Sequence, residues 1–295
     1  MIIMKSNDTG ATIKKVLIIG GYGQLGSDLA LKLPSMMEVL RYHHEDFDIT
    51  NPHMVRDIIV AQKPDVVINC AAYNLVEESE RNPVSAYEVN AFGPYYVALA
   101  CKDIGALCVH VSTDYVFDGT RTSFDEKDLP HPINVYGASK YAGETLVQIA
   151  TPAYYIVRTS ALFGVAEGSK KNFVQVMLRL AREGKDIRVV DDQITAPTFT
   201  LDLAEKIIEI LVRRIPYGVY HVTNQGQTSW YKFAQEIFRQ AKLSPHIVPI
   251  PTKESGSKIR RPRMSVLANT ALRDQGISLL PEWGDALRRY LDIIV

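Results

Sequence analysis

The passage KVLIIGGYGQLGSDLALKL, from Lys15, constrains this chain most. Its apolar, β-branched start suits a strand buried on both faces. Gly20, Gly23 and Gly26 then follow three residues apart, where helical spacing begins. Missing side chains permit a tight turn and close backbone approach to a diphosphate, and a helix N-terminus offers that charge unpaired N–H groups. Gln24 and Leu25 open this helix and join the glycines as candidate cofactor contacts. An ordinary strand-to-helix turn accounts for glycines alone; the strand-turn-helix context favours binding.

Three further apolar runs recur, DVVINC at 65–70, LCVHVS at 107–112 and YYIVRT at 154–159. Helical spacing lies between them, in MVRDIIVAQ from Met54 and SAYEVNAFGPYYVALACKDIG from Ser85. This alternation predicts an α/β fold, a Rossmann-like doubly wound parallel sheet. It should occupy 13–160, with returning elements near 188–222. Beyond 160 the rhythm loosens, and 161–187 and 223–295 are expected to form a smaller C-terminal substrate-binding lobe. IRVVDD and GVYHVTN read as strands there, and LDLAEKIIEILVRRI and WYKFAQEIFRQAK as helices.

Thirty-three basic and 33 acidic side chains cancel, which implies no general attraction to nucleic acid or an anionic membrane. Cys70, Cys101 and Cys108 are odd in number, lack metal-type spacing and fall in buried-looking runs, as suits a reducing, cytoplasmic setting. The first residues are expected to be a frayed tail without a signal-peptide core. No apolar run approaches the roughly 20 residues of a membrane span.

The end of the second strand, in EVLRYHHEDFD, places Arg41 where many such folds hold the adenosine ribose. A guanidinium there pairs with a ribose 2′-phosphate and favours NADPH, with NADH tolerated; a solvated strand-end arginine is the alternative. His43 and His44 read as surface residues, and no carboxylate-histidine cluster indicates a metal. Asp48, followed by Ile49, either bonds an adenine amino group or caps the helix starting near Pro52.

Tyr136 and Lys140 lie four residues apart after Pro130 and Pro132, so they share one helix face. An ammonium beside a phenol stabilises the phenolate and makes the phenol a usable general acid. Ser112, Thr113 and Asp114 end the third of the four runs, where strand ends form the ligand crevice. Either hydroxyl can polarise a carbonyl, and Asp114 can bind a sugar hydroxyl.

With these residues in hand, the chain resembles the dTDP-4-dehydrorhamnose reductase family of extended short-chain dehydrogenase/reductases. The resemblance runs from GGYGQLG through PDVVINCAAY, VSTDYVFDG, NVYGASKYAGE, NFVQVMLRLA, DDQITAPT and SWYKFA to RRPRMSVLANTAL. It implies Thr113, Tyr136 and Lys140 as the catalytic set, and Cys70, Ala71 and Ala72 as cofactor contacts. Ser112, Asp114, Asn74, Val76, Ala161 and Arg260 are implied around a nucleotide-sugar substrate, and many members are homodimers. Two positions depart: Asn74 stands where the family commonly has Thr, and Ala161 where it has Trp. Gln193 and Thr195 are expected at the cleft rim. Arg260 and Arg261 serve the nucleotide diphosphate or form a plain basic loop. Trp230 and Tyr231 read as core. The expected reaction is hydride transfer to the C4 ketone of a nucleotide-linked 4-keto-6-deoxy sugar. An epimerase and a non-catalytic cofactor-binding regulatory subunit are the alternatives; Tyr115 after Asp114, in place of Glu, counts against dehydration.

Overall fold

The computed structural model describes residues 13–165 and 172–295, so the expected tail over 1–12 lies outside the described residues. The chain begins β1 (Lys15–Ile19), α1 (Gln24–Lys32), β2 (Glu38–Tyr42), α2 (Pro52–Gln62) and β3 (Val66–Asn69). α3 (Val76–Arg81), α4 (Pro83–Tyr87), α5 (Gly93–Ile104), β4 (Leu107–Thr113), α6 (Val135–Ala150) and β5 (Tyr154–Thr159) follow. These strands and a later one, β10, form a parallel sheet in the order β10-β5-β4-β3-β1-β2. Strand order reverses beside β1, and the crevice outside such a reversal is where open α/β sheets bind ligands.

Successive residues of β1 enter opposite cores, as a strand covered on both faces requires. Val16 and Ile18 pack with Leu25 and Leu29 of α1, while Leu17 and Ile19 pack with Val55 and Ile59 of α2 and Val97 of α5. Between α4 and α5, residues Glu88–Phe92 form a π turn. Pro94 lacks the N–H that would bond the Asn90 carbonyl, and the helix widens there. This widening places buried Asn90 beside α6.

The second half comprises β6 (Leu162–Phe163), α7 (Phe173–Arg182), β7 (Ile187–Val190), β8 (Ile194–Thr195), β9 (Thr198–Phe199), α8 (Thr200–Arg213) and β10 (Gly218–His221). It ends with β11 (Thr228–Ser229), α9 (Trp230–Gln240), β12 (Ile247–Ile250), α10 (Thr270–Asp274) and α11 (Trp283–Ile294). The segment expected to return near 188–222 divides. β10 pairs with β5, and Leu203 and Ile207 of α8 join the α1 core, but β7 pairs with β12 in a separate two-stranded sheet. Leu272 and Leu280 also pack on the main sheet, inside the stretch expected to be lobe. Trp230 and Tyr231 pack against a second hydrophobic cluster around Phe163, Phe199, Phe233 and Tyr290. Among the described residues, no helix is long and apolar enough to cross a membrane. All three cysteines are free thiols.

Candidate active site

Gly20 sits at the reversal of strand order with φ +71°, a left-handed conformation that favours glycine. A Cβ there would stand 3.0 Å from the Ala71 nitrogen, so the end of β3 closes on the turn. At Gly26 a Cβ would meet the Gly20 carbonyl oxygen at 2.4 Å. The glycines therefore let α1 start against the turn, leaving a backbone cradle with an N-terminus at its mouth; these residues fit a dinucleotide diphosphate.

Arg41 turns toward this cradle. Its Nε donates to the Gly21 carbonyl at 2.9 Å, and its guanidinium lies 4.0 Å from the centre of the Tyr22 ring. Tyr22 in turn stacks on His43 at 3.7 Å. Asp48 is exposed and accepts from the Thr50 N–H and hydroxyl. Asn51, not Asp48, caps α2 by accepting from the His53 and Met54 N–H groups. Ile49 is buried against Gly93.

Cys70, Ala71 and Ala72 form the turn after β3, fixed by two asparagines. Asn69 Oδ1 accepts from the Ala71 N–H at 3.0 Å. Asn90 accepts from the Tyr73 N–H at 2.8 Å, donates to the Tyr73 carbonyl at 3.1 Å and donates to the Ser139 hydroxyl at 3.0 Å. Ser139 donates to the Tyr136 carbonyl, so one side chain braces the strand end against α6. Sequence reasoning missed Asn90; the Gly-Pro pair breaking a long helical pattern was its signal.

Asn134 caps α6 by accepting from the Gly137 N–H at 2.8 Å. The first turn holds Tyr136, half-buried and edge-on to Tyr115, its phenol beside the Thr113 hydroxyl. Thr113 Oγ1 donates to Asp114 at 3.0 Å. Burial pushes the Tyr136 phenol up, against the opposing influence of the Thr113 hydroxyl. The Lys140 ammonium, expected to acidify this phenol, donates to the Val111 carbonyl at 2.6 Å. Burial brings Lys140 down to about 8, with Glu144 opposing, and raises the Asp114 carboxyl to about 7 against hydrogen bonds from Ser265 and Thr113.

Ser112 departs from its expected place facing a substrate. Its hydroxyl donates to Glu144 at 2.5 Å, between the sheet and α6, because strand side chains alternate and Thr113 takes the other face. Glu144 and Arg158, both buried, form a forked ion pair that sequence reasoning missed. Gln193 and Thr195, expected at the cleft rim, are buried: Gln193 donates to Thr252, and Thr195 pairs with Thr228. Short strands with one covered face look polar and rim-like in sequence.

Arg261, half-buried, donates to the Tyr115 hydroxyl at 3.1 Å and pairs with Glu77 of α3. Its neighbour Arg260 is exposed, and the Arg260 carbonyl accepts from the Asn134 side chain at 2.9 Å. Asn74 is exposed and Val76 half-buried at the start of α3. Ala161 is half-buried with φ +43°, a conformation uncommon outside glycine. Among the described residues, no group of three or more His, Cys, Asp or Glu is placed to hold a metal.

Residues 14–295 match the family model described as the RmlD substrate binding domain. The chain is 42% identical over 279 residues to the spore coat polysaccharide biosynthesis protein SpsK of Bacillus subtilis, covering 94% of this chain and 96% of that one. It is 38% identical to a dTDP-4-dehydrorhamnose reductase of Burkholderia thailandensis, covering 91% of this chain and 95% of the other. A solved dTDP-4-dehydrorhamnose reductase of Bacillus anthracis, in complex with NADP, superposes with a TM-score of 0.92 at 39% identity, covering 96% of this chain and all of that one. A glycine cradle at the sheet reversal, a tyrosine-lysine helix beside it and these end-to-end matches make the chain a member of the dTDP-4-dehydrorhamnose reductase family.

Proposed function

We propose that this chain uses NADPH, with NADH tolerated, to reduce the C4 ketone of a nucleotide-linked 4-keto-6-deoxy sugar, dTDP-4-dehydrorhamnose to dTDP-L-rhamnose. The meeting of the Tyr136 phenol and the Thr113 hydroxyl at the end of β4 carries this reading. Gly20, Gly23, Gln24, Leu25 and Gly26 hold the cofactor diphosphate, Arg41 the ribose 2′-phosphate, and Asp48, Ile49, Cys70, Ala71 and Ala72 the adenosine and ribose. The nicotinamide, when bound, supplies the hydride.

Thr113 turns its hydroxyl from Asp114 to the ketone oxygen and polarises it. Tyr136 gives its proton to the same oxygen as negative charge develops there, so the ketone gains one hydride and one proton. The Lys140 ammonium stabilises the phenolate left behind and receives the nicotinamide ribose. Asp114, Asn74, Val76 and Ala161 surround the sugar, and the small Ala161 leaves room for a bulkier one. Arg260 and Arg261 face the nucleotide diphosphate.

The test is cofactor oxidation with dTDP-4-dehydrorhamnose. Stoichiometric NADPH consumption and rhamnose product support the reductase. Product formed without consumption would indicate an epimerase, and silence across a panel of dTDP-4-keto sugars a binding subunit.

A further inference from the structure

Gln24 and Asp28 stand one turn apart on α1 and share a face. Neighbouring Leu25 and Leu29 enter the sheet core, whereas these two polar side chains meet the second half of the chain. Thr200 Oγ1, at the start of α8, donates to Asp28 Oδ2 at 2.5 Å. Asn172, 5% exposed, places its Nδ2 3.1 Å from Gln24 Oε1, 2.9 Å from the Gly164 carbonyl oxygen after β6 and 2.9 Å from the Tyr290 hydroxyl of α11. Asn172 also caps α7, its Oδ1 accepting from the Gln175 N–H at 3.1 Å. That cap uses the oxygen alone, and a serine would serve as well. It also settles the orientation of both amides: with Oδ1 turned to α7, Asn172 offers Gln24 a donor, so Gln24 presents its oxygen. Gln24 Nε2 is left without a hydrogen-bond partner among the described residues, on the first residue of the helix that opens at the cradle.

We propose that Asn172 is a positioning residue for the cofactor: from the cap of α7 it holds Gln24 Oε1, which leaves the Gln24 Nε2 hydrogens to donate to the dinucleotide diphosphate. This rests on the cofactor reading above. A glutamine amide free to turn presents its oxygen to a phosphate as readily as its nitrogen, and ordering it costs rotamer entropy on binding. Asn172 removes both costs before the cofactor arrives. A hydrogen bond to a charged oxygen is among the stronger ones a side chain makes, so its alignment matters. Through the Gly164 carbonyl and Tyr290 the same amide is braced by β6 and α11, so segments remote from the glycine turn support the diphosphate site.

Asn172→Ser keeps the α7 cap but withdraws the donor from Gln24. NADPH and NADH, titrated by nicotinamide fluorescence without sugar, should both bind about tenfold more weakly, because both carry the diphosphate. Calorimetry with 2′-AMP, which has the adenosine and 2′-phosphate but no diphosphate, should give the wild-type affinity. Gln24→Ala should show the same loss of dinucleotide, and the double variant should bind no more weakly than Gln24→Ala alone. Unchanged NADPH affinity in Asn172→Ser, an equal loss for 2′-AMP, or losses that multiply in the double variant would overturn the proposal. Should serine prevent folding, Asn172→Asp keeps the cap and the shape but presents an acceptor to Gln24. Its loss of NADPH affinity should then be about tenfold larger with Gln24 present than in the Gln24→Ala background. That background subtracts the effect of the new charge, and equal losses count against the idea. Wild type that binds neither dinucleotide would remove the cofactor reading itself, whereas wild-type binding that ignores position 172 removes this proposal alone.

Discussion

The Lys140 ammonium donates to the Val111 carbonyl at 2.6 Å, two residues before Thr113 on the same strand. Helix α6 and strand β4 are thereby tied together beside the Tyr136 phenol and the Thr113 hydroxyl.

This mooring gives a signed pH dependence. Burial brings Lys140 to about 8, so the ammonium proposed to stabilise the Tyr136 phenolate is present below that pH and lost above it. Turnover should fall as pH rises through this value, and a kcat profile from about pH 6 to about pH 10 reads it. Stability has the opposite slope. The unfolded lysine keeps its proton to about pH 10.4, so in that window the unfolded chain binds more protons and this group's contribution to folding stability rises with pH. Urea midpoints across the window check the sign.

Ser112 and Thr113 are adjacent but serve different faces. Ser112→Ala should leave the sugar KM unchanged and cost about 1.5–3 kcal/mol of stability, the worth of a hydrogen bond to a charged group. Thr113→Val should lower kcat by about 10²–10³-fold, as removal of one carbonyl-polarising donor does. Steady-state kinetics of the two variants side by side separate them; equal effects would contradict the alternation of faces.

Gly26→Ala tests the cradle. The added methyl would stand 2.4 Å from the Gly20 oxygen and 2.7 Å from the Gly21 Cα, both backbone. Relief by shifting α1 should cost about 1–3 kcal/mol of stability and weaken NADPH and NADH binding alike. Thermal melting with fluorescence titration measures both.

Arg41→Ala tests cofactor choice. Loss of a guanidinium-phosphate hydrogen bond of about 1.5–3 kcal/mol should weaken NADPH by about 10–100-fold and leave NADH within a few-fold. Parallel titrations decide it, and equal loss for both cofactors would mean that Arg41 only buttresses Gly21 and Tyr22.

The central strands were legible because a buried parallel strand must be continuously apolar, as KVLII, VVIN and YYIVRT are. The glycine turn was legible because a Cβ at Gly20 or Gly26 has no room. The Glu144–Arg158 pair was not: a lone glutamate in a helix ordinarily reads as solvated, and its partner lies on another element. The Arg closing an apolar strand and the four-residue steps Tyr136, Lys140, Glu144 were the available hints. Pairing of β7 with β12 joins segments far apart in sequence, and a four-residue strand does not specify its partner. Between Arg260 and Arg261, sequence offers no periodicity to say which turns inward; the contact with Tyr115 does.

The proposed reduction requires a proton from Tyr136. Single-turnover oxidation of bound NADPH by dTDP-4-dehydrorhamnose, compared between wild type and Tyr136→Phe, measures that dependence directly. Loss of reduction with NADPH affinity nearly intact is the predicted result; turnover equal to wild type would contradict it.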